Sequence, residues 1–271
     1  MTYKHESMIQ KDGSLKIENS SKKADWYEFF YYSRHLNSKF GGWNFKSYWK
    51  SDALEKLSSN EIIIETYTKN TIQNINPARP LREKDFMLKR DLVEKRGAED
   101  SENLLNFNLF NHLQNSNESF QSIGYEIPLV ATNESQLKVD LFAIQKETQH
   151  PNIIEIKRKD NTDDSPLFGI VEAITYGFQF WKCQNFIKRE YTGHYSEELN
   201  CDVIHLSLIA EEDYFKYWNF ESKDIENVKK IIQTINNCIQ SKNIEFPKGL
   251  KPFEFRLEVY IFNGEKLRKL D

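Results

Sequence analysis

The fold is decided by residues 137–159, LKVDLFAIQKETQHPNIIEIKRK, in which two apolar segments flank a short polar turn. Leu137–Ile144 and Asn152–Lys159 are rich in the aliphatic and β-branched residues that strands favour, so each segment predicts a strand. Because the turn between them, Gln145–Pro151, is short, we expect the two strands to pair as an antiparallel hairpin.

Three of the charged residues in this hairpin are candidates for chemistry, namely Asp140 in the first strand and Glu155 and Lys157 in the second. Side chains alternate along a strand, so Glu155 and Lys157 point to the same face. If the turn centres near residue 148, Asp140 lies opposite residues 155–157, and cross-strand neighbours have Cβ atoms about 5 Å apart. The sequence therefore predicts that two carboxylates and an ammonium group converge on one patch of the sheet.

Burying these charges together would lower the stability of the protein unless they are paired or hold a metal. Two carboxylates, Asp140 and Glu155, together with the backbone carbonyl of Ile156 would suit Mg²⁺, with Mn²⁺ as a substitute. A bound ion lowers the pKa of water, and Lys157 could orient that water or a phosphate. The pattern favours metal-assisted hydrolysis of a phosphodiester. The alternatives are that Asp140 is a solvent-facing strand-end residue and that Glu155 and Lys157 form a solvent-facing row.

The flanking sequence predicts a mixed set of helices and strands around the hairpin. Periodicity, caps and turn residues give helices at Ser101–Leu113, from Ser165–Pro166 to about Trp181, and at Asp224–Gln240, and strands at Glu61–Lys69, Ile123–Val130, Val203–Ala210 and Phe253–Phe262. This order predicts a mixed sheet with helices on its faces, an α/β (mixed α+β) fold.

Asp140 followed by Glu155-Ile156-Lys157 on paired strands resembles the PD-(D/E)XK nuclease superfamily. The resemblance covers about Glu99 to Ala210, and it implies a restriction-endonuclease-like core, a central mixed sheet flanked by helices, with N- and C-terminal additions. That family often carries an acidic residue on its first helix. Glu102 is the best match and Glu99 the reserve, although an acid in a first helical turn is also favoured by the helix dipole. Val139 stands where the family often has proline.

The exonuclease branch of this family carries a Gln-x-x-x-Tyr motif on the next helix. The matching positions here are Glu172 and Tyr176, with Glu in place of Gln, and they could instead be an ordinary surface pair. Arg158 and Lys159 follow the hairpin motif directly. They could contact a phosphate backbone or be plain solvated charges.

Three regions organise the chain under this interpretation. Residues 1–95 form an N-terminal aromatic-rich region of unassigned role, 96–215 hold the nuclease-like core, and 216–271 add a helix and a strand that pack on it. Residues 26–50 contain eleven aromatic residues interleaved with lysine and arginine. These rings could stack on bases or form a small aromatic core.

Composition excludes several classes of protein. No apolar run is long enough to span a membrane, and the N-terminus lacks the apolar segment of a signal peptide. The three cysteines have no metal-ligand spacing, so we expect reduced thiols in a cytoplasmic protein. No P-loop, dinucleotide-binding or serine-hydrolase motif is present. His205, within an apolar strand, is expected to be a core histidine rather than a ligand.

The sequence thus predicts a cytoplasmic, Mg²⁺-dependent nuclease that acts on nucleic acid, with DNA as the expected substrate. The net charge of −4 lacks a basic footprint, but metal-binding carboxylates lower the net charge of such enzymes. The resemblance also implies a homodimer. The alternative is a non-catalytic nucleic-acid- or protein-binding module that retains the fold and uses the aromatic segment Trp26–Trp49 for recognition.

Overall fold

The structure is a computed structural model that describes residues 51–59, 61–74, 101–128, 138–194, 198–241 and 244–271. The aromatic stretch 26–50 and Glu99, for which predictions were made above, lie outside these residues.

The described residues contain one six-stranded mixed sheet. Its strands are β1 (Phe120–Pro128), β2 (Lys138–Gln145), β3 (Pro151–Lys157), β4 (Val203–Ala210), β5 (Glu254–Phe262) and β6 (Leu267–Lys269). They lie in the order in which they occur along the chain. β2 pairs antiparallel with β1 and with β3. β4 pairs parallel with β3 and with β5, and β6 pairs antiparallel with β5. The predicted mixed sheet is confirmed.

The predicted antiparallel hairpin is also confirmed. Leu141 on β2 lies opposite Ile154 on β3, and the register continues to Ile144 opposite Pro151. One further step in the other direction puts Asp140 opposite Glu155. In an antiparallel pair, directly opposed residues share a face of the sheet, so this register directs both carboxylates to the same side.

Helices cover both faces of the sheet. The helices of the described residues are α1 (Ser51–Ser58), α2 (Glu61–Asn74), α3 (Glu102–Asn115), α4 (Pro166–His194), α5 (Glu212–Tyr217) and α6 (Ser222–Ile239). α4 packs on β3 and β4, α6 packs on β5, and α1 and α2 pack on α6. α3 packs on β1 and β2. The predicted arrangement of a sheet flanked by helices is therefore present.

Alternation along β3 decides which side chains face which helices. Ile153 belongs to the larger apolar cluster, which includes residues of α4 and α6. Ile154 and Ile156 belong to a smaller cluster with residues of α3. Glu155 and Lys157 lie two and four residues after Ile153 on the strand, so their side chains point to the same face of the sheet, toward α4.

Local signals explain how α4 and α6 begin. The Ser165 hydroxyl accepts a hydrogen bond from the N–H of Phe168 at 3.3 Å, and Pro166 is the first helical residue, as predicted. α6 begins with a capping box in which Glu221 and Asp224 each accept from the other's backbone N–H. It buries one apolar stripe at helical spacing, comprising Ile225, Val228, Ile231, Ile232, Ile235, Cys238 and Ile239.

Two predictions about element type and length are wrong. Glu61–Lys69 is not a strand, because it forms most of α2. Its buried residues Ile64, Tyr67 and Ile72 recur at helical spacing, and their packing outweighs the β propensity of the isoleucines. The helix predicted to end near Trp181 continues to His194.

The three cysteines, Cys183, Cys201 and Cys238, are free and buried, as expected for reduced thiols. None of the helices in the described ranges combines the length and apolar character that a membrane crossing requires.

Candidate functional site

Glu155 and Lys157 lie at the carboxyl end of β3, which pairs parallel with β4. Lys157 is the last residue of β3 and is in register with Ala210, the last residue of β4. The chain then passes through residues 158–165 into the first turn of α4. Ligands of open α/β sheets commonly bind at this edge, outside the carboxyl ends of the strands.

The ammonium group of Lys157 is the centre of the cluster. It donates to Glu155 Oε1 at 2.7 Å and to Glu172 Oε2 at 3.0 Å, and Asp164 Oδ2 lies 3.5 Å away. Only 5% of the Lys157 side chain is exposed. Burial opposes the positive charge, but the three carboxylates overcome it and raise the pKa of Lys157 well above its usual range. Lys157 is therefore a buried cation whose charge is stabilised by its carboxylate neighbours.

Glu155 is buried beside this cation, so it does not belong to a solvent-facing row. That alternative for Glu155 and Lys157 is wrong. Burial is the main cause that raises the pKa of Glu155 well above its usual range. The charge of Asp140 raises it further, and the charge of Lys157 acts in the opposite direction. Glu155 thus binds a proton more readily than an exposed glutamate does.

Asp140 is half-buried at the start of the hairpin. Its Oδ2 accepts a hydrogen bond from the backbone N–H of Ile156 at 2.8 Å, which ties the carboxylate to β3. Burial raises the pKa of Asp140 to about 7, and the charges of Glu102 and Glu172 act in the same direction. Lys157 and the Ile156 N–H lower it. The Asp140 carboxyl therefore interacts electrostatically with the charged groups around Lys157. That the carbonyl of Ile156 is a metal ligand stays a prediction.

Glu172 and Tyr176 lie one turn apart on α4 and face the sheet. Both are buried, so the alternative of an ordinary surface pair is wrong. Tyr176 donates to Glu172 Oε1 at 3.5 Å, while the other oxygen of Glu172 accepts from Lys157. The spacing of the motif thus brings a glutamate of α4 onto the lysine of β3.

A glycine on α4 allows this close approach. A Cβ added to Gly169 would lie 2.9 Å from Leu208 Cδ1 and 3.4 Å from Lys157 Cε. A larger residue at this position would require the Leu208 side chain or α4 to shift. The small size of residue 169 thus permits the close approach of α4 to Lys157.

Glu102 lies in the first turn of α3 and is exposed. The preceding Ser101 caps the helix by accepting from the N–H of Leu104 at 3.2 Å. The charge of Glu102 reaches Asp140, since it contributes to the raised pKa of that residue. This position is compatible with a metal ligand and with an acid that interacts with the helix dipole, so both interpretations stay open.

Arg158 and Lys159 lie beside the cluster on the chain but not within it. Arg158 Nη2 donates to Asp160 Oδ2 at 2.7 Å. The side chain of Lys159 is exposed, and its backbone N–H donates to Glu211 Oε2 at 2.9 Å. Lys159 thus presents a positive charge to solvent beside the buried site.

His205 is half-buried on β4, five residues before the edge that carries the site. Its ring stacks on that of His150 with centroids 5.8 Å apart. Burial is the main cause that lowers the pKa of His205 to about 4, so the ring is neutral at pH 7.

Sequence reasoning missed two residues of the site. Asp164 contributes the third carboxylate at Lys157, and the Tyr214 hydroxyl donates to the carbonyl of Asp164 at 2.8 Å. The sequence did contain one signal for Asp164. This residue directly precedes Ser165, the predicted cap of the helix that follows β3, and so it had to lie near the end of β3. Tyr214 had no such signal, because α5 has only six residues and shows no clear period.

The chemistry of the site is set by an excess of carboxyl groups. Glu155, Asp164 and Glu172 contact one ammonium group, and the Asp140 carboxyl lies close enough to feel its charge. Full ionisation of these four carboxyl groups would leave three uncompensated negative charges. Within the described ranges, no three histidine, cysteine or acidic side chains are already arranged as a metal site. The donor set is nevertheless all oxygen, which is the set that hard divalent cations prefer.

No family model, curated protein or solved structure matches this chain. Its function is therefore inferred from the chemistry of the cluster around Lys157.

Proposed function

We propose that this protein is a metal-dependent nuclease that hydrolyses phosphodiester bonds, with Mg²⁺ as the cofactor and Mn²⁺ as a substitute. The observation that carries the proposal is the carboxylate-rich cluster in which buried Glu155 and Glu172 contact Lys157 and half-buried Asp140 lies opposite Glu155 on the neighbouring strand. Burial of uncompensated charge is costly, as the raised pKa values of Asp140 and Glu155 indicate. A divalent cation would offset this cost.

Each residue of the hairpin has a role in this proposal. Asp140, Glu155 and the Ile156 carbonyl would hold the ion, and Glu102 would complete the set from α3. When bound, the ion would lower the pKa of a water molecule. Lys157 would orient the attacking water or neutralise the scissile phosphate, since its charge would repel the metal. Glu172 and Tyr176 would support Lys157 from α4.

The order of elements supports a restriction-endonuclease-like core. α3, β1, β2, β3, α4 and β4 follow the order of helix, three strands, helix and strand that the sequence resemblance implies. Glu172 in place of the glutamine of the exonuclease motif argues against an exonuclease role. We expect DNA as the substrate, backbone contacts from Arg158 and Lys159, a cytoplasmic location and a homodimer.

A second function is favoured by a specific observation. Lys157 already interacts with three carboxylates, so the network is largely satisfied by its own members. A non-catalytic nucleic-acid- or protein-binding module could keep such a network purely for stability. In that case substitution of Asp140 or Glu155 would not change metal binding.

A cleavage assay separates the two functions. Labelled DNA and RNA, single- and double-stranded, are incubated with the protein in Mg²⁺, in Mn²⁺ or in EDTA. The nuclease proposal predicts cleavage with the metals and none with EDTA, and a loss of cleavage in Glu155→Gln. Glu254→Gln is a matched control, because Glu254 pairs with Arg256 at the opposite end of the parallel strands. Binding of nucleic acid without any cleavage would support the module instead.

A further inference from the structure

The loop between β3 and α4 brings one more carboxylate to Lys157. Asp164 Oδ2 lies 3.5 Å from Lys157 Nζ, and 17% of the Asp164 side chain is exposed. Glu155 comes from β3 and Glu172 from α4, so the three carboxylates reach the ammonium group from three separate segments. The position of Asp164 therefore depends on how the loop itself is held.

Both ends of this loop are fixed by α5 and the residue before it. At the start of the loop, the backbone N–H of Lys159 donates to the Glu211 carboxylate at 2.9 Å. At its end, the hydroxyl of Tyr214 donates to the backbone carbonyl of Asp164 at 2.8 Å. The Tyr214 side chain is fully buried, and the bond it makes to Asp164 is partly buried.

The middle of the loop is fixed as well. The Trp218 indole N–H donates to the carbonyl of Asn161 at 3.2 Å. The side-chain oxygen of Asn161 accepts from the backbone N–H groups of Asp163 and Asp164, at 3.1 and 2.8 Å. An asparagine that binds its own following backbone fixes a tight turn. The loop thus has few ways to move Asp164 away from Lys157.

We propose that Asp164 is a positioning residue that sets the direction of the Lys157 ammonium group, and that Tyr214 holds Asp164 in place. This inference rests on the proposed nuclease function, in which Glu155 would be engaged by the metal. Lys157 would then keep Asp164 and Glu172 as its partners. Two fixed partners from different segments hold an ammonium group in one direction. A catalytic group that orients a reactant must itself be held in this way.

The first test observes Lys157 directly in the metal-free protein. ¹⁵N NMR measures the exchange of the Lys157 Nζ protons with water, and Lys157→Arg assigns the signal. We expect Asp164→Asn to speed this exchange by about tenfold, because one charged contact of the ammonium group is lost. Asp163→Asn is the matched control. It is the adjacent residue and exposed, so it should change the exchange rate by less than about twofold.

The second test measures steady-state cleavage with Mg²⁺. Asp164→Asn should lower kcat by about tenfold and leave KM within about twofold, because only the orientation of a reacting group changes. Tyr214→Phe should lower kcat by a smaller factor, and it keeps the test decisive if Asp164→Asn does not fold.

The outcomes separate this inference from the proposed function. Wild-type exchange and wild-type kcat in both Asp164→Asn and Tyr214→Phe would overturn the role of Asp164, whatever the wild type cleaves. Faster exchange in Asp164→Asn, in a protein whose wild type cleaves nothing, would support Asp164 as the partner that orients Lys157 while refuting the nuclease. A fall in kcat without any change in exchange would overturn the inference.

Discussion

Asp140→Asn should make the metal-free protein more stable at pH 8, although it removes a residue of the proposed active site. The folded state raises the pKa of Asp140 from its ordinary 3.8 to about 7, chiefly through burial. Between these two values the folded protein holds a proton that the unfolded chain has released. The unfolding free energy therefore falls as the pH rises from about 4 to about 7, and it stays lowered above that range. Asparagine carries no charge and avoids this loss.

The magnitude follows from the size of the shift. One pKa unit corresponds to about 1.4 kcal/mol, so a shift of about three units sets an upper bound of about 4 kcal/mol. Asp140 is only half-buried, and solvent screening should reduce the gain to about 2 kcal/mol. Asparagine can still accept from the Ile156 N–H, so the hydrogen bond that ties β2 to β3 is kept.

Urea unfolding in EDTA at pH 4.5 and at pH 8 measures this effect. The variant should match the wild type within about 0.5 kcal/mol at pH 4.5 and exceed it by about 2 kcal/mol at pH 8. Added Mg²⁺ should reverse the order at pH 8, because a ligand at 100 times its Kd stabilises by about 2.7 kcal/mol and only the wild type binds it. Asp163→Asn should show none of these changes. A variant less stable than the wild type at pH 8 in EDTA would refute the reasoning.

Three further predictions concern other residues of the fold and site. Lys157→Ala should lower the cleavage rate by about 100-fold in single-turnover assays, while Mg²⁺ binding by calorimetry stays intact or tightens, because a positive charge has left the site. Glu102→Gln should weaken Mg²⁺ affinity in the same calorimetry without lowering the melting temperature, and an unchanged affinity would leave Glu102 as a helix-dipole residue only. Gly177→Ala should cost about 1–3 kcal/mol in urea unfolding, because its Cβ would lie 2.6 Å from Phe255 Cε1, and unchanged stability would contradict this packing.

The central hairpin could be predicted because its signals are local. The alternation of β3, the short turn and the β-branched residues fixed the pairing, and the register then placed Asp140 opposite Glu155. The start of α4 was equally readable from Ser165 and Pro166. Each of these features depends on residues close together in the sequence.

Other features depend on packing between distant segments, which no local pattern reports. α2 was predicted as a strand because its isoleucines favour strands, whereas its helical spacing is satisfied by contact with α6. The burial of Glu172 depends on how closely α4 approaches β3, which Gly169 permits. Asp164 reaches Lys157 from a loop that Tyr214 of α5 contacts from a distant part of the chain. Long-range packing, not propensity, completed the charged cluster.

The most direct test of the central claim is the rate of phosphodiester cleavage by the wild-type protein across a Mg²⁺ titration, measured in parallel with Asp140→Asn. The account predicts a rate that rises with Mg²⁺ to saturation, vanishes in EDTA and is lost or shifted to much higher Mg²⁺ in the variant. A wild-type protein that binds DNA or RNA but cleaves neither in Mg²⁺ or Mn²⁺ would contradict it.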